Sequence, residues 1–185
     1  MKRLVLLLAG VALFSASFAQ TPSWMRYPAI SPDGSQIAFA SDRYGNFDVF
    51  VVNATGGAPT RLTFASSSDH PSDFTPDGSA VLFSAARQDA AANRQFPSRG
   101  LRELYRVPVT GGRPVQLLTT PAENARYNED GTQILFHDWK GYEDQWRKHH
   151  TSAVTRDIWT YDLADGSYNM VSTYEGEDLD KHAYQ

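Results

Sequence analysis

This 185-residue chain repeats itself, and that limits its folds more than any other feature. Ser31-Pro32-Asp33-Gly34 returns as Thr75-Pro76-Asp77-Gly78 and, more loosely, as Asn128-Glu129-Asp130-Gly131. An apolar segment follows each: Gln36-Ile37-Ala38-Phe39-Ala40, Ala80-Val81-Leu82-Phe83-Ser84 and Gln133-Ile134-Leu135-Phe136-His137. An acid with an aliphatic and an aromatic residue comes next, as Asp48-Val49-Phe50, Glu103-Leu104-Tyr105 and Asp157-Ile158-Trp159. A turn then recurs as Thr55-Gly56-Gly57, Thr110-Gly111-Gly112 and Ala164-Asp165-Gly166. Arg61-Leu62-Thr63, Gln116-Leu117-Leu118-Thr119 and Met170-Val171-Ser172-Thr173 close the units. Landmarks that keep one order three times over mark three copies of one supersecondary unit.

The local chemistry says what that unit is. Ser-Pro-Asp-Gly suits a type I turn: the serine bonds back to the backbone, proline fixes φ, and glycine sits at the fourth position. The glycine pair supplies positive φ for a second hairpin. Between the turns lie short segments rich in Val, Ile, Phe and Tyr, which read as strands of an antiparallel meander. Segments 28–31, 71–75 and 125–128 supply the first strand of each unit, giving four strands per unit. The turn motifs fall 44 and then 53 residues apart, and the third strands 55 and then 54. Four-stranded sheets at that spacing are the blades of a β-propeller. Independent β-sandwiches are the rival, but each unit is too small to bury two sheets. The expected fold class is all-β, with three four-stranded antiparallel blades at about 27–66, 69–120 and 123–174. Complete propellers have four to eight blades, so these three are expected to be part of something longer.

The first residues read as an address. Lys2 and Arg3 precede an apolar run over 4–14, and Ser17-Phe18-Ala19 places small residues before a cut at Gln20. The run of about eleven residues is too short for a bilayer core, which takes about 20. A signal peptide over 1–19 predicts export to the periplasm or beyond, with 20–185 as the mature propeller segment. Its loss leaves 15 basic against 21 acidic side chains, a net charge of −6. That balance argues against nucleic acid as a partner, and no second apolar run of membrane length follows. With no cysteine, disulfides, thiol nucleophiles and Cys-ligated metals are excluded.

The string Pro28-x-Ile30-Ser31-Pro32-Asp33-Gly34, Ile37-Ala38-Phe39-x-Ser41-Asp42-Arg43-x-Gly45, Asp48-Val49-Phe50-Val51-Val52 and Arg61-Leu62-Thr63 resembles the propeller repeat shared by TolB and the tricorn protease. Stretches 41–50, 103–114 and 143–159 resemble more narrowly the N-terminal propeller of exported bacterial tricorn-like serine peptidases. Arg147-Lys148-His149-His150-Thr151-Ser152, ahead of Arg156-Asp157-Ile158-Trp159, narrows the resemblance to the peptidases. The likeness runs over nearly all of 24–180. It implies a propeller that gates or steers peptides and docks to the catalytic part, with catalysis in C-terminal domains that have no counterpart here. The alternative is a TolB-like periplasmic scaffold that binds proteins, and a third reading is the propeller of a prolyl-oligopeptidase-type enzyme. The first repeat departs from the pattern, because Ser41-Asp42-Arg43-Tyr44-Gly45 looks like a second-blade sequence joined to a first-blade start.

No residue is assigned to catalysis, metal or cofactor. His149, His150, Ser152 and Asp157 lack a strained nucleophile turn. The same histidines with His137 and Asp138 lack the i, i+4 spacing of a helical zinc motif. Glu175, Glu177, Asp178 and Asp180 lack the alternating ligands of a calcium loop. More informative is where the repeats differ in length. Between second and third strands the first unit has only 42–46, whereas the second has 86–102 and the third 139–156. Equivalent hairpins share a face, and long loops on a rigid scaffold carry function. The insertions have net charges of +3 and +2 and add Phe96, Trp139, Tyr142 and Trp146. Arg94, Arg99, Trp146, Arg147, Lys148, His149, His150 and Arg156 are therefore the expected contacts of a basic, aromatic rim. The rim takes either acidic or carboxylate-ended peptides or, the favoured reading, a neighbouring peptidase domain, since Trp and Arg anchor interfaces. Self-association into a homo-oligomer is a further expectation, because an open propeller leaves sheet faces uncovered.

Overall fold

A computed structural model describes residues 23–87, 101–138 and 156–172. The described residues form twelve strands in three four-stranded antiparallel sheets, each an up-and-down meander in chain order. Sheet 1 holds β1 (Met25–Ile30), β2 (Gln36–Ser41), β3 (Asp48–Asn53) and β4 (Thr60–Arg61). Sheet 2 holds β5 (Asp69–Phe74), β6 (Ala80–Ala85), β7 (Glu103–Pro108) and β8 (Val115–Pro121). Sheet 3 holds β9 (Glu123–Tyr127), β10 (Gln133–His137), β11 (Ile158–Asp162) and β12 (Tyr168–Met170). The first strands β1, β5 and β9 lie side by side, which is how propeller blades surround an axis.

The Asp-Gly turns owe their shape to one hydrogen-bond pattern. Gly34 N–H donates to Ser31 C=O at 2.8 Å, Ser31 Oγ to Asp33 at 2.6 Å and Ser35 N–H to Asp33 at 3.0 Å. Thr75, Asp77 and Ser79 repeat it. The Ser31 hydroxyl, with the Ser35 backbone and hydroxyl, pulls the exposed Asp33 carboxyl down to about 2; Thr75 and Ser79 do the same for Asp77. Successive turns also stack. A Cβ placed on Gly131 (φ +72°) would lie 3.0 Å from the Pro76 ring, so the proline of one turn supports the glycine of the next.

Period-2 alternation divides the core into two layers between the sheets. Ala38, Val49 and Leu62 of the sheet 1 unit meet Val81, Phe83 and Tyr105 of sheet 2. From the other side of sheet 2, Leu82, Leu104 and Leu118 meet Ile134, Phe136 and Trp159 of sheet 3. Sheet 2 is thus covered on both faces, and every residue of β6 is buried. The Phe83–Tyr105 pair, 5.6 Å between ring centroids, repeats as Phe39–Phe50 at 5.7 Å. An arginine covers each pair: Arg87 stands 4.8 Å from the Phe83 ring and Arg43 4.7 Å from the Phe50 ring.

The first strands begin earlier than the turn-to-turn pattern places them, at Met25, Asp69 and Glu123. Each is interrupted by a bulge: register slips between Arg26 and Ala29, between Pro71 and Asp73, and opposite Leu135/His137. Tyr27 (φ 55°) and Asn124 (φ 53°) take left-handed backbone at equivalent points of β1 and β9. The bulge breaks the alternation that marks a strand in sequence.

Candidate functional site

Two ion-pair groups gather where the sheets meet, at the end where the long hairpins arise. Where sheets 1 and 2 meet, Arg61 pairs with Asp48 within sheet 1 at 2.6 Å, and Arg87 pairs with Asp69 within sheet 2 at 2.5 Å. Neither carboxylate reaches solvent, and burial pushes both carboxyl groups up against the pull of their arginines. Between sheets 2 and 3, Glu123 accepts from Arg102, and Arg156 reaches its other oxygen at 3.2 Å. Arg102 and Arg156 hold the same place in their repeats, immediately before the acid that opens the third strand.

Beside this clamp opens a cleft of about 390 Å³, lined by Arg26, Tyr27, Phe47, Ser68, His70, Ser84, Arg102, Glu123, Asn124 and Arg156. Three of these residues occupy one repeat position: Arg26, His70 and Glu123 lie opposite Ala40, Ser84 and His137 at the head of β1, β5 and β9. The Tyr27 ring stacks on His70 at 4.6 Å. Burial, with the nearby Arg102 and Arg26 charges, lowers His70 to about 4, so its ring is neutral at pH 7. Arg26 is exposed, covers the Trp24 and Phe47 rings at 4.8 and 5.2 Å, and has no ion-pair partner among the described residues. Three guanidinium groups therefore face the cleft against one carboxylate, a net charge of +2.

That geometry suits an anion with planar oxygens. Arginine presents forked donors that match a carboxylate, and Ser68 and Asn124 add neutral hydrogen-bonding groups. The volume lies within the range of small-ligand and peptide-end sites. Among the described residues, no three His, Asp or Glu side chains gather as metal ligands.

Of the residues expected from sequence, Arg156 is in the cleft. Arg94, Arg99, Trp146, Arg147, Lys148, His149 and His150 lie outside the described residues, as do Phe96, Trp139 and Tyr142. His137 and Asp138 are separated in role. His137 Nδ1 lies 3.4 Å from Asn124, and burial, then Arg156, lowers its pKa. Asp138 instead accepts from the Asp157 N–H at 2.7 Å and from Trp159 Nε1 at 3.1 Å, tying β10 to β11. Sequence reasoning missed Arg26, His70, Glu123 and Asn124. Their signal was spacing: Arg26, His70 and Glu123 each stand five residues before the first residue of the Asp-Gly turn motif.

Comparison with known proteins agrees with the repeat and the sheets. The chain is 28% identical over 155 residues to tricorn protease homolog 1 of Streptomyces coelicolor, covering 83% of this chain and 13% of that protein. Its fold is similar to that of TolB from Acinetobacter baumannii (TM-score 0.58, 21% identity, 79% of this chain and 32% of the other). It is similar as well to the tricorn protease (TM-score 0.51, 13% identity, 83% of this chain and 13% of the other). The chain thus spans a small part of the length of these relatives. The tricorn protease N-terminal β-propeller domain family matches residues 18–184, and the chain belongs to that family.

Proposed function

We propose that this chain is the exported propeller segment of a tricorn-like serine peptidase and that its cationic cleft receives the free carboxylate end of peptides, steering them toward catalytic domains elsewhere in the parent protein. The observation that carries this reading is the cluster of Arg26, at the head of β1, with Arg102 and Arg156, ahead of β7 and β11, and with Glu123 as the one carboxylate in the lining. Export rests on the basic start, the apolar run and the small-residue exit of residues 1–19.

Titration calorimetry with one peptide in two forms, free acid and C-terminal amide, tests it. The free acid binds and the amide does not, and Arg26→Ala weakens binding at least tenfold while leaving the melting temperature near that of the parent. Equal binding of both forms, or none of either, contradicts the reading. Docking of a peptidase domain onto the same face is a second reading, favoured by the net positive charge of both insertions, whose last residues Arg102 and Arg156 line the cleft. It predicts that charge reversal at Arg147 and Lys148 releases the propeller from the catalytic part without changing peptide binding.

A further inference from the structure

The junction between sheets 2 and 3 carries a second hollow, of about 500 Å³, whose chemistry is the opposite of the cleft's. Leu101 and Pro121 line it on the sheet 2 side, and Phe136, Trp159 and Tyr168 on the sheet 3 side. The Phe136 and Tyr168 rings meet edge to face, 6.4 Å between centroids. The charged group in the lining, Asp138, already accepts the Asp157 N–H at 2.7 Å and Trp159 Nε1–H at 3.1 Å, so carboxylate and indole N–H satisfy each other. Apart from the Thr120 hydroxyl, the hollow offers a ligand ring faces and aliphatic surface. A polar group placed there loses its water without regaining hydrogen bonds, whereas an apolar side chain gains by leaving water. Both walls belong to sheets that already pack on each other, so the hollow does not depend on what adjoins sheet 1 or the far face of sheet 3.

The hollow and the cationic cleft are neighbours, divided by the crossing from β8 to β9. Pro121 lines the hollow and Glu123 the cleft, with the fully buried Ala122 between them. The Ala122 N–H bonds to Arg102 C=O at 2.8 Å, and Arg102 of the cleft directly follows Leu101 of the hollow. On the opposite bank, Asp157, whose N–H holds Asp138, directly follows Arg156 of the cleft. Two residues of extended chain span at most about 7 Å, which bounds the distance from Pro121 to Glu123. A bound peptide advances by the same amount in two residues. With its carboxylate on the arginines, the side chain of one of its last two residues therefore reaches the hollow.

We infer that this hollow is a specificity subsite for a large apolar or aromatic side chain on one of the last two residues of a bound peptide. The inference rests on the reading of the cleft as the seat of the peptide carboxylate. The arginines then recognise that a chain ends, and the hollow selects which ends are held.

Titration calorimetry on the full chain with four tetrapeptides tests it: the all-alanine free acid, its C-terminal amide, and two free acids with phenylalanine last or last but one. Burying a phenylalanine side chain is worth roughly ten- to a hundredfold in affinity, so one of the phenylalanine acids binds at least tenfold more tightly than the alanine acid. Leu101→Gln with Tyr168→Ser abolishes that preference and leaves the affinity for the alanine acid and the β-sheet circular dichroism spectrum unchanged. If the pair unfolds, Leu101→Gln alone, outside any strand, carries the same expectation. An alanine acid that binds better than its amide, with no gain from phenylalanine, overturns the inference and leaves the carboxylate reading standing. Equal binding of alanine acid and amide, or none by any acid, overturns the carboxylate reading and the inference with it. A phenylalanine preference that survives the substitutions overturns the inference alone, because the Tyr27 and Phe47 rings of the cleft then read the side chain.

Discussion

Glu123 balances the charge of the cleft and ties sheet 3 to sheet 2, so Glu123→Gln is an informative perturbation. Its side chain is 10% exposed, and those of its partners Arg102 and Arg156 are 23% and 31% exposed. Buried hydrogen bonds to charged groups contribute about 1.5–3 kcal/mol and exposed ion pairs about 0–1 kcal/mol, so these partly exposed pairs contribute about 1 kcal/mol each. Glutamine keeps the shape and one acceptor oxygen but leaves two guanidinium groups together without a counter-charge. The expected loss is about 2 kcal/mol, a fall in melting temperature of roughly 4–8 °C for a domain of this size. Thermal unfolding followed by circular dichroism at pH 7 and low salt reads it. A free carboxylate takes the lost oxygen's place, so acetate at constant ionic strength raises the melting temperature of the variant more than that of the parent. A variant that melts within 1 °C of the parent and ignores acetate would refute both the clamp and the anion affinity derived from it.

Other expectations are as direct. Phe83→Ala removes a fully buried ring between sheets 1 and 2 and costs about 3–5 kcal/mol by chemical denaturation; a loss under 1 kcal/mol would contradict the packing described. Gly131→Ala and Gly34→Ala impose the same left-handed strain of about 1–2 kcal/mol, since both glycines have φ of +72°. Only Gly131→Ala also presses a Cβ on Pro76, so it is the more destabilising of the two in paired melts. His70 is lowered to about 4 by burial and its arginine neighbours. Between that value and 6.5 the unfolded chain binds a proton that the folded chain does not, so stability falls as pH drops through this window. His70→Gln flattens that part of the stability–pH curve, and an unaltered curve would show that the imidazole is not held neutral.

Sequence alone made the sheets legible because each hairpin turn carries its own chemistry. Asp33, Asp77 and Asp130 bond their own turns, and the strands they launch alternate cleanly between two interfaces. The cleft was harder to see. Its clearest features sit on strand starts where bulges at Tyr27, Pro71–Asp73 and Asn124 break the alternation, so Arg26 and Glu123 read as ordinary charged residues before a strand. Arg156 was legible because it lies in a basic insertion, but its partner Glu123 is 33 residues away in sequence and is brought to it by the fold alone. The buried Asp48–Arg61 and Asp69–Arg87 pairs were hidden for the same reason: each joins residues from different strands or connections.

A crystal structure of the chain with a short peptide bearing a free C-terminal carboxylate would locate the bound end of the peptide directly. That carboxylate is expected in the cleft, within hydrogen-bonding distance of Arg26 and one of Arg102 or Arg156, with the neutral His70 ring beside it. A peptide bound elsewhere on the propeller, or one held in the cleft with its carboxylate turned away from the arginines, would contradict it.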